Sequence, residues 1–473
     1  MPDAAQDSAP QSGKKGERDL TKGPVWKALT VMSAPMSFGI LAVLSVGLAD
    51  AYFLGQLGET ELAAVGYIYP VTTAIISLSI GMSAGANAAL SQGVGRGDDA
   101  EATQRLGLHA IGIGLATGIT VAVLFWLAYP LIFAAMGADD ASAEAIAQYA
   151  PYWAMSFPFL VLMMITNSVF RSHGDSVTSA VVMVVQAVIN IALNPLLIFG
   201  MWGLPELGMQ GAAVATLTGR SIASSIALFI AWRRGLLGWC GRLFNGLAGS
   251  AKRIFNVGAP AAFSNAINPA GMALVTAAVS TVGDAAVAGF GAATRVQSVA
   301  LVPLMALSSG IAPVVGQNWG AQARDRAQDA VHWAFIFCTG YGVFLALILG
   351  IFADPIAGLL AAGDADQAYA AQYLRFVGAS FFGYGLLVSA NSAMNARDKP
   401  LWSMGLSLGR IFAIYLPLAW VGALTLGFTG IVAAAVAANL LGAWGAVVAT
   451  RSVALNRIDL GLVSFLAARR DCA

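Results

Sequence analysis

The chain is predicted to be an all-α polytopic membrane protein of about twelve transmembrane helices, arranged as two six-helix bundles in parallel repeat. Three observations lead there. The 473 residues are 58% hydrophobic and 10% charged, with a mean hydropathy of +0.74, whereas a soluble globule carries about 25% charged residues. Apolar segments with the roughly 20 residues that a bilayer-spanning helix needs recur along almost the whole chain. Motifs of the first half also return in the second at a nearly constant spacing.

In chain order, residues 1–24 are small and polar, with Lys14, Lys15, Glu17, Arg18, Asp19 and Lys22, and read as a disordered cytoplasmic tail. The first span, about 28–54, contains one ionised side chain, Asp50, and a proline, Pro35, that removes a backbone bond and permits a bend. Spans at about 61–92, 104–134, 145–172, 177–200 and 211–234 follow, separated by short polar turns. Together they form a first lobe over 25–234, and the polar stretch 235–251 reads as a linker. A second lobe over 252–456 holds spans at about 252–281, 286–317, 327–353, 367–394, 401–424 and 430–455, and 457–473 is a cytoplasmic C-terminal tail. Several spans exceed the minimal length and should be tilted or kinked. No room is left for a soluble domain.

Charge sets the orientation. Of the 25 basic residues, 21 fall in the tails and on alternate loops, among them Arg96, Arg105, Arg171, Arg233, Arg234, Arg324, Arg326, Arg397 and Arg451. The opposite loops carry Glu59, Glu61, Asp139, Asp140, Glu144, Glu206, Asp284, Asp364 and Asp366. Lys and Arg are retained in the cytoplasm, so both termini are expected there, in a bacterial inner membrane. Arg220, Arg295, Arg375 and Arg410 fall within helices or at their ends. With a net charge of +1 and no basic stripe interleaved with aromatics, nucleic acid is not an expected partner. Cys240, Cys338 and Cys472 lack CxxC spacing, and His109, His173 and His332 sit at segment edges, which argues against a metal site or a catalytic triad.

The repeat is specific. Ser33-Ala-Pro35 matches Gly258-Ala-Pro260 at an offset of 225, and Ser91-Gln-Gly-Val-Gly95 falls on Gly316-Gln-Asn-Trp-Gly320 at the same offset. Asn167-Ser168 matches Asn391-Ser392 at 224, and Gly208-Met-Gln-Gly211 matches Gly427-Phe-Thr-Gly430 at 219. Two six-helix bundles that begin on the same side are related by an axis along the membrane normal, a transporter plan with a cavity between the lobes.

Asp50 is the first candidate site. A carboxylate near the centre of a bilayer costs about 2.5–3.5 kcal/mol on insertion scales, so it must face a cavity, carry a proton or have a partner. Gln186, Asn190 and Asn194 recur every four residues and present three amides on one face of the fifth span. Such amides glue helices together, or hold Asp50 when it is charged, or supply oxygen ligands for sodium. Their counterparts in the second half are Leu408, Phe412 and Leu416, and that of Asp50 is Val275. Met163, Phe157, Phe263, Met272, Phe381 and Tyr384 are candidates for an adaptable apolar wall around a substrate.

Asp50-Ala-Tyr-Phe-Leu-Gly-Gln-Leu-Gly-Glu-Thr-Glu-Leu-Ala-Ala64, Arg171-Ser-His-Gly-Asp175, Asn190-Ile-Ala-Leu-Asn-Pro195 and Val315-Gly-Gln-Asn-Trp-Gly-Ala321 resemble the multidrug and toxic compound extrusion (MATE) transporters, in their DinF-like branch. The resemblance covers nearly the whole chain after the tail. It implies export of amphipathic or cationic organic compounds in exchange for protons or sodium, with coupling in the first lobe. By motif position it assigns that role to Asp50, Tyr149, Asn190, Asn194 and Thr216, with Gln186 on the same amide face. Asn194 departs from the pattern, because the branch often has a second aspartate there, and an amide cannot titrate. A sodium ion would lie at Asp50, Asn190 and Asn194; no other cofactor is implied, and the chain is expected to be a monomer. The alternative is a flippase for a lipid-linked or amphipathic metabolite. An intramembrane enzyme lacks paired carboxylates or a nucleophile motif in the spans.

Overall fold

A computed structural model describes residues 18–238, 244–360 and 363–458 of the chain. Residues 1–17 of the expected tail, 239–243 of the linker and 459–473 of the C-terminal tail lie outside the described residues. Six long helices build the first half: α1 (Val25–Gly55), α2 (Glu59–Arg96), α3 (Ala100–Ala135), α4 (Asp140–Ser172), α5 (Ser176–Ile198) and α6 (Gly208–Arg233). The second half comprises α7 (Leu247–Ser280), α8 (Asp284–Ala300), α9 (Val302–Gly320), α10 (Arg324–Gly358), α11 (Asp364–Gly378), α12 (Phe381–Ala396), α13 (Pro400–Leu408), a π-helical turn (Gly409–Tyr415), α14 (Leu416–Leu426) and α15 (Phe428–Ser452).

Among the described residues, ten helices are long and apolar enough to cross a bilayer, with Pro400–Leu426 taken as one, and two bent pairs complete twelve spans. Both bends lie inside segments that the sequence marks as single spans, 286–317 and 367–394. The first pair, α8 and α9, turns by 43° ahead of Pro303, whose missing N–H is harmless in the first turn of a helix. The second, α11 and α12, turns by 57° at Ala379–Ser380, and Asn439 of α15 donates to Ser380 Oγ there (2.8 Å). In the span from Pro400, Pro417 cannot bond back to Ala413. The backbone widens into a π turn just before it, a deformation found mostly at functional sites.

The buried side chains form two clusters, one for each half. Leu20, Val25, Leu29 and Met32 belong to the cluster of the second half, so the start of α1 and the segment before it are seated on the other lobe. Residues 18–23, within the expected tail, bridge the two: Arg18 N donates to the His173 carbonyl (3.1 Å), Leu20 N to Gln317 Oε1 (2.9 Å), and Asn318 Nδ2 to the Leu20 carbonyl (3.1 Å). Burial of Leu20, 2% exposed, is the reason this piece docks.

The lobes meet at the end that carries the basic loops. Gly81 and Gly85 of α2 lie against α7, where a Cβ would stand 2.4 Å from Ala262 and 2.3 Å from the Ile254 carbonyl; only glycine permits that approach. Gln317 Nε2 donates to the Ser172 carbonyl (2.7 Å) and Gln92 Nε2 to the Ala396 carbonyl (2.7 Å) at the same end. Among the described residues, every hydrogen bond between the lobes lies there.

Candidate functional site

Asp50 lies in the last third of α1, half-buried, and its side chain points into the first lobe rather than away from it. Asn194 Nδ2 donates to Asp50 Oδ1 (2.5 Å) and makes a longer contact with Asn190 Oδ1 (3.5 Å). Asn190 Nδ2 in turn donates to Thr216 Oγ1 on α6 (3.0 Å). The four-residue spacing on α5 puts both amides on one face, and Thr216 closes a polar chain running from α1 through α5 to α6. Asn190 and Asn194 are fully buried, and Asn194 Oδ1 accepts no hydrogen bond from the described residues.

Arg220 completes the group. It stands one helical turn after Thr216, so the two share a face of α6. Its Nη1 donates to Ser156 Oγ of α4 (2.7 Å), and its guanidinium lies 5.5 Å from the Trp153 ring centroid. Asp50, Tyr149 and Arg220 are within electrostatic reach of one another. The site therefore holds one carboxylate and, within electrostatic reach but not hydrogen-bonded to it, one buried guanidinium, a residue that sequence reasoning left among unassigned helix arginines. The spacing of four from Thr216 put it on the same face of α6, and no spacing pointed it to Asp50.

Gln186 is buried on the amide face of α5 two turns from Asn194, where Gly219 of α6 approaches its backbone; the hydrogen-bonded chain does not include it. Pro35 lies inside α1, which runs unbroken through it. The carbonyl that Pro35 leaves without its helical donor is that of Val31, and Ser176 Oγ at the start of α5 donates to it (2.8 Å).

Of the residues expected to line a substrate cavity, Phe157 and Met163 are buried in the core of the first lobe, Phe157 stacked on Trp153 (6.1 Å between centroids). Phe263 is exposed on α7. Met272, Phe381 and Tyr384 come together on a small cleft inside the second lobe, beside Gln297, Tyr373 and Arg410. The hydrophobic pattern brought Met272, Phe381 and Tyr384 to notice but not Gln297, Tyr373 and Arg410, which come from separate helices.

The family model MatE matches the chain twice, over residues 35–196 and 260–421. The two matches start 225 residues apart, the spacing of the internal repeat. A curated protein of Shewanella oneidensis named FAD transporter is 34% identical over 431 residues, 90% of this chain and 94% of its own length. Among solved structures, the Vibrio cholerae MATE transporter VcmN in the bent form superposes with a TM-score of 0.85 at 28% identity, over 91% of this chain and 97% of that one. An outward-facing multidrug resistance MATE family transporter also reaches 0.85, at 25% identity, over 95% and 100%.

Proposed function

Because the chain belongs to the MatE family, whose members are transporters, we propose that it is a secondary active exporter of amphipathic organic molecules, driven by proton entry at Asp50. The observation that carries this is the Asp50–Asn194–Asn190–Thr216 chain inside the first lobe. An amide has both a donor and an acceptor, so Asn194 serves Asp50 in both states. Its Nδ2 donates to the carboxylate, and after rotation its orphaned Oδ1 accepts from the protonated acid. No second carboxylate is needed.

The hydrogen bonds at Asp50 favour the proton over sodium as the coupling ion. Either ion adds one positive charge beside Arg220, and the Asp50 carboxylate offsets either. Sodium also needs a shell of several oxygens, whereas Asn194 turns its Nδ2 to Asp50 and Asn190 its Nδ2 to Thr216, and a proton needs one oxygen. Protonation removes the anion facing Arg220 and reverses the Asn194 hydrogen bond, which shifts the balance between conformations of α1 about Pro35. One charge moving inward supplies about 2.3 kcal/mol per 100 mV of membrane potential. With the basic end in the cytoplasm of a bacterial cell and the lobes joined there, the described state is outward-facing, with both termini inside and a single chain sufficient.

The similarity to a protein named FAD transporter suggests a second reading of the cargo, an anionic aromatic molecule in place of a cationic drug. The guanidinium of Arg410 in the second lobe, with no carboxylate at ion-pair distance among the described residues, favours it.

The test is efflux from proteoliposomes with pH and sodium gradients imposed separately. Export driven by the pH gradient and lost in Asp50→Asn is the expected result. An Asp50→Asn protein that pumps like the unaltered chain, or export driven by sodium alone, refutes proton coupling at this residue.

A further inference from the structure

We propose that Arg410 is the centre of an anion-binding site in the second lobe that takes the phosphate or carboxylate group of an organic substrate. The proposal rests on the reading that organic molecules enter between the lobes, and it adds where their charged group goes. Arg410 stands in the π-helical turn and reaches the small cleft lined by Met272, Gln297, Tyr373, Tyr384 and Asn439.

Its bonds are those of a cation without its intended partner. Nη1 donates to Asn268 Oδ1 at 3.2 Å and Nη2 to Asn439 Oδ1 at 3.4 Å, both longer than the 2.7–2.9 Å of charge-assisted bonds. Nε is buried and, among the described residues, donates to nothing, and the guanidinium lies 5.1 Å from the centroid of the Tyr384 ring. An arginine kept only to join helices would satisfy its fork with short bonds. Here the fork is held by two neutral amides and one ring face, which position it and leave its charge uncancelled. Ionisable side chains inside a membrane are costly and mark substrate or ion pathways.

The internal repeat places two residues of this cleft at positions of the Asp50 site, while Arg410 falls on Val188 at the offset of 222 and has no counterpart there. Tyr373 stands 224 residues after Tyr149, the offset of Asn167 and Asn391, and Asn439 stands 219 after Arg220, the offset of Gly211 and Gly430. Asp50 is replaced at its repeat position by Val275, fully buried. The first lobe thus sets a carboxylate within electrostatic reach of a guanidinium, while in the second, among the described residues, the guanidinium has no carboxylate at ion-pair distance.

Two breaks in regular helix build the site. The bend between α11 and α12, held by the Asn439 bond to Ser380, turns Tyr373 and Tyr384 onto one cleft. Tyr373 donates to Gln297 Oε1 (2.9 Å), which fixes the cleft's far side. The π turn places Arg410 opposite. A planar guanidinium presents paired donors that match the oxygens of a phosphate or carboxylate group.

Riboflavin and FMN, which differ by one phosphate, are the probes. Their equilibrium binding to the full chain in lipid nanodiscs is followed by flavin fluorescence, with no gradient imposed, so a failure of proton coupling does not alter the readout. FMN should bind at least tenfold more tightly than riboflavin, by a margin that narrows with salt. Arg410→Gln should reduce FMN to the level of riboflavin, and Arg410→Lys should keep part of the preference, with folding checked by thermal melting. Equal binding of the two by the unaltered chain, binding of neither, or a preference that survives in Arg410→Gln overturns the site. Each of those results leaves pH-driven export through Asp50 standing or falling on its own.

Discussion

Asn194 is the residue on which the coupling site turns, because among the described residues it alone touches the carboxylate by a hydrogen bond and connects it to α5 and α6. Asn194→Ala removes the donor and leaves a buried oxygen of Asp50 unpartnered, a loss of about 1–3 kcal/mol. We expect a lower melting temperature and pH-driven export reduced at least tenfold; a variant with unchanged export would show that the amide chain only joins helices. The spacing of Gln186, Asn190 and Asn194 made the amide face legible, and the isolated charge made Asp50 so. Arg220 was not legible as its companion, since no rule of spacing says that α6 brings a guanidinium to a carboxylate 170 residues earlier. That juxtaposition is a product of packing.

At the scale of the element, α1 is the part with a built-in place to bend. Pro35 breaks the ladder, and Ser176 from α5 supplies the Val31 carbonyl with the bond that the helix cannot. Ser176→Ala therefore leaves the carbonyl without a donor and loosens the helix around it, by about 0.5–1.5 kcal/mol of net hydrogen-bond energy. Faster deuterium exchange over residues 31–39 is the expected outcome, read by mass spectrometry. Unchanged exchange there would mean that the bond does not restrain the bend. The proline was visible in the sequence, as a site where bending is permitted. The serine was not, because it sits at the start of another helix and looks like an ordinary first-turn residue. The break at Ser380 was hidden for the same reason, since the side chain bonded to it, Asn439, lies far along the chain.

For the whole molecule, the question is what keeps the basic end shut. Leu20 buries its side chain in the second lobe while its neighbour Arg18 bonds to the first, so the residues ahead of α1 stitch the lobes together. Leu20→Asp should cost the closed end roughly 1.5–3 kcal/mol, enough at tenfold per 1.4 kcal/mol to shift the balance between conformations about tenfold or more. Distances between spin labels across the basic end should lengthen in a larger fraction of molecules. An unaltered distance distribution would show that this segment rides on the closed state without holding it.

Composition, apolar run lengths and the 225-residue repeat determined by themselves that the chain is a twelve-span membrane protein of two parallel halves. These are properties of chain transfer into lipid, where each segment is judged by its own hydropathy and backbone satisfaction. They extended to Asp50, because an isolated charge in an apolar span stands out without reference to anything else. Only the tertiary structure decided which polar groups meet: Asp50 with Asn194 and Arg220 in one lobe, and Arg410 with Tyr373, Tyr384 and Asn439 in the other. Those partners come from helices whose contacts depend on the packing of whole bundles, and no local pattern encodes a distance across a lobe.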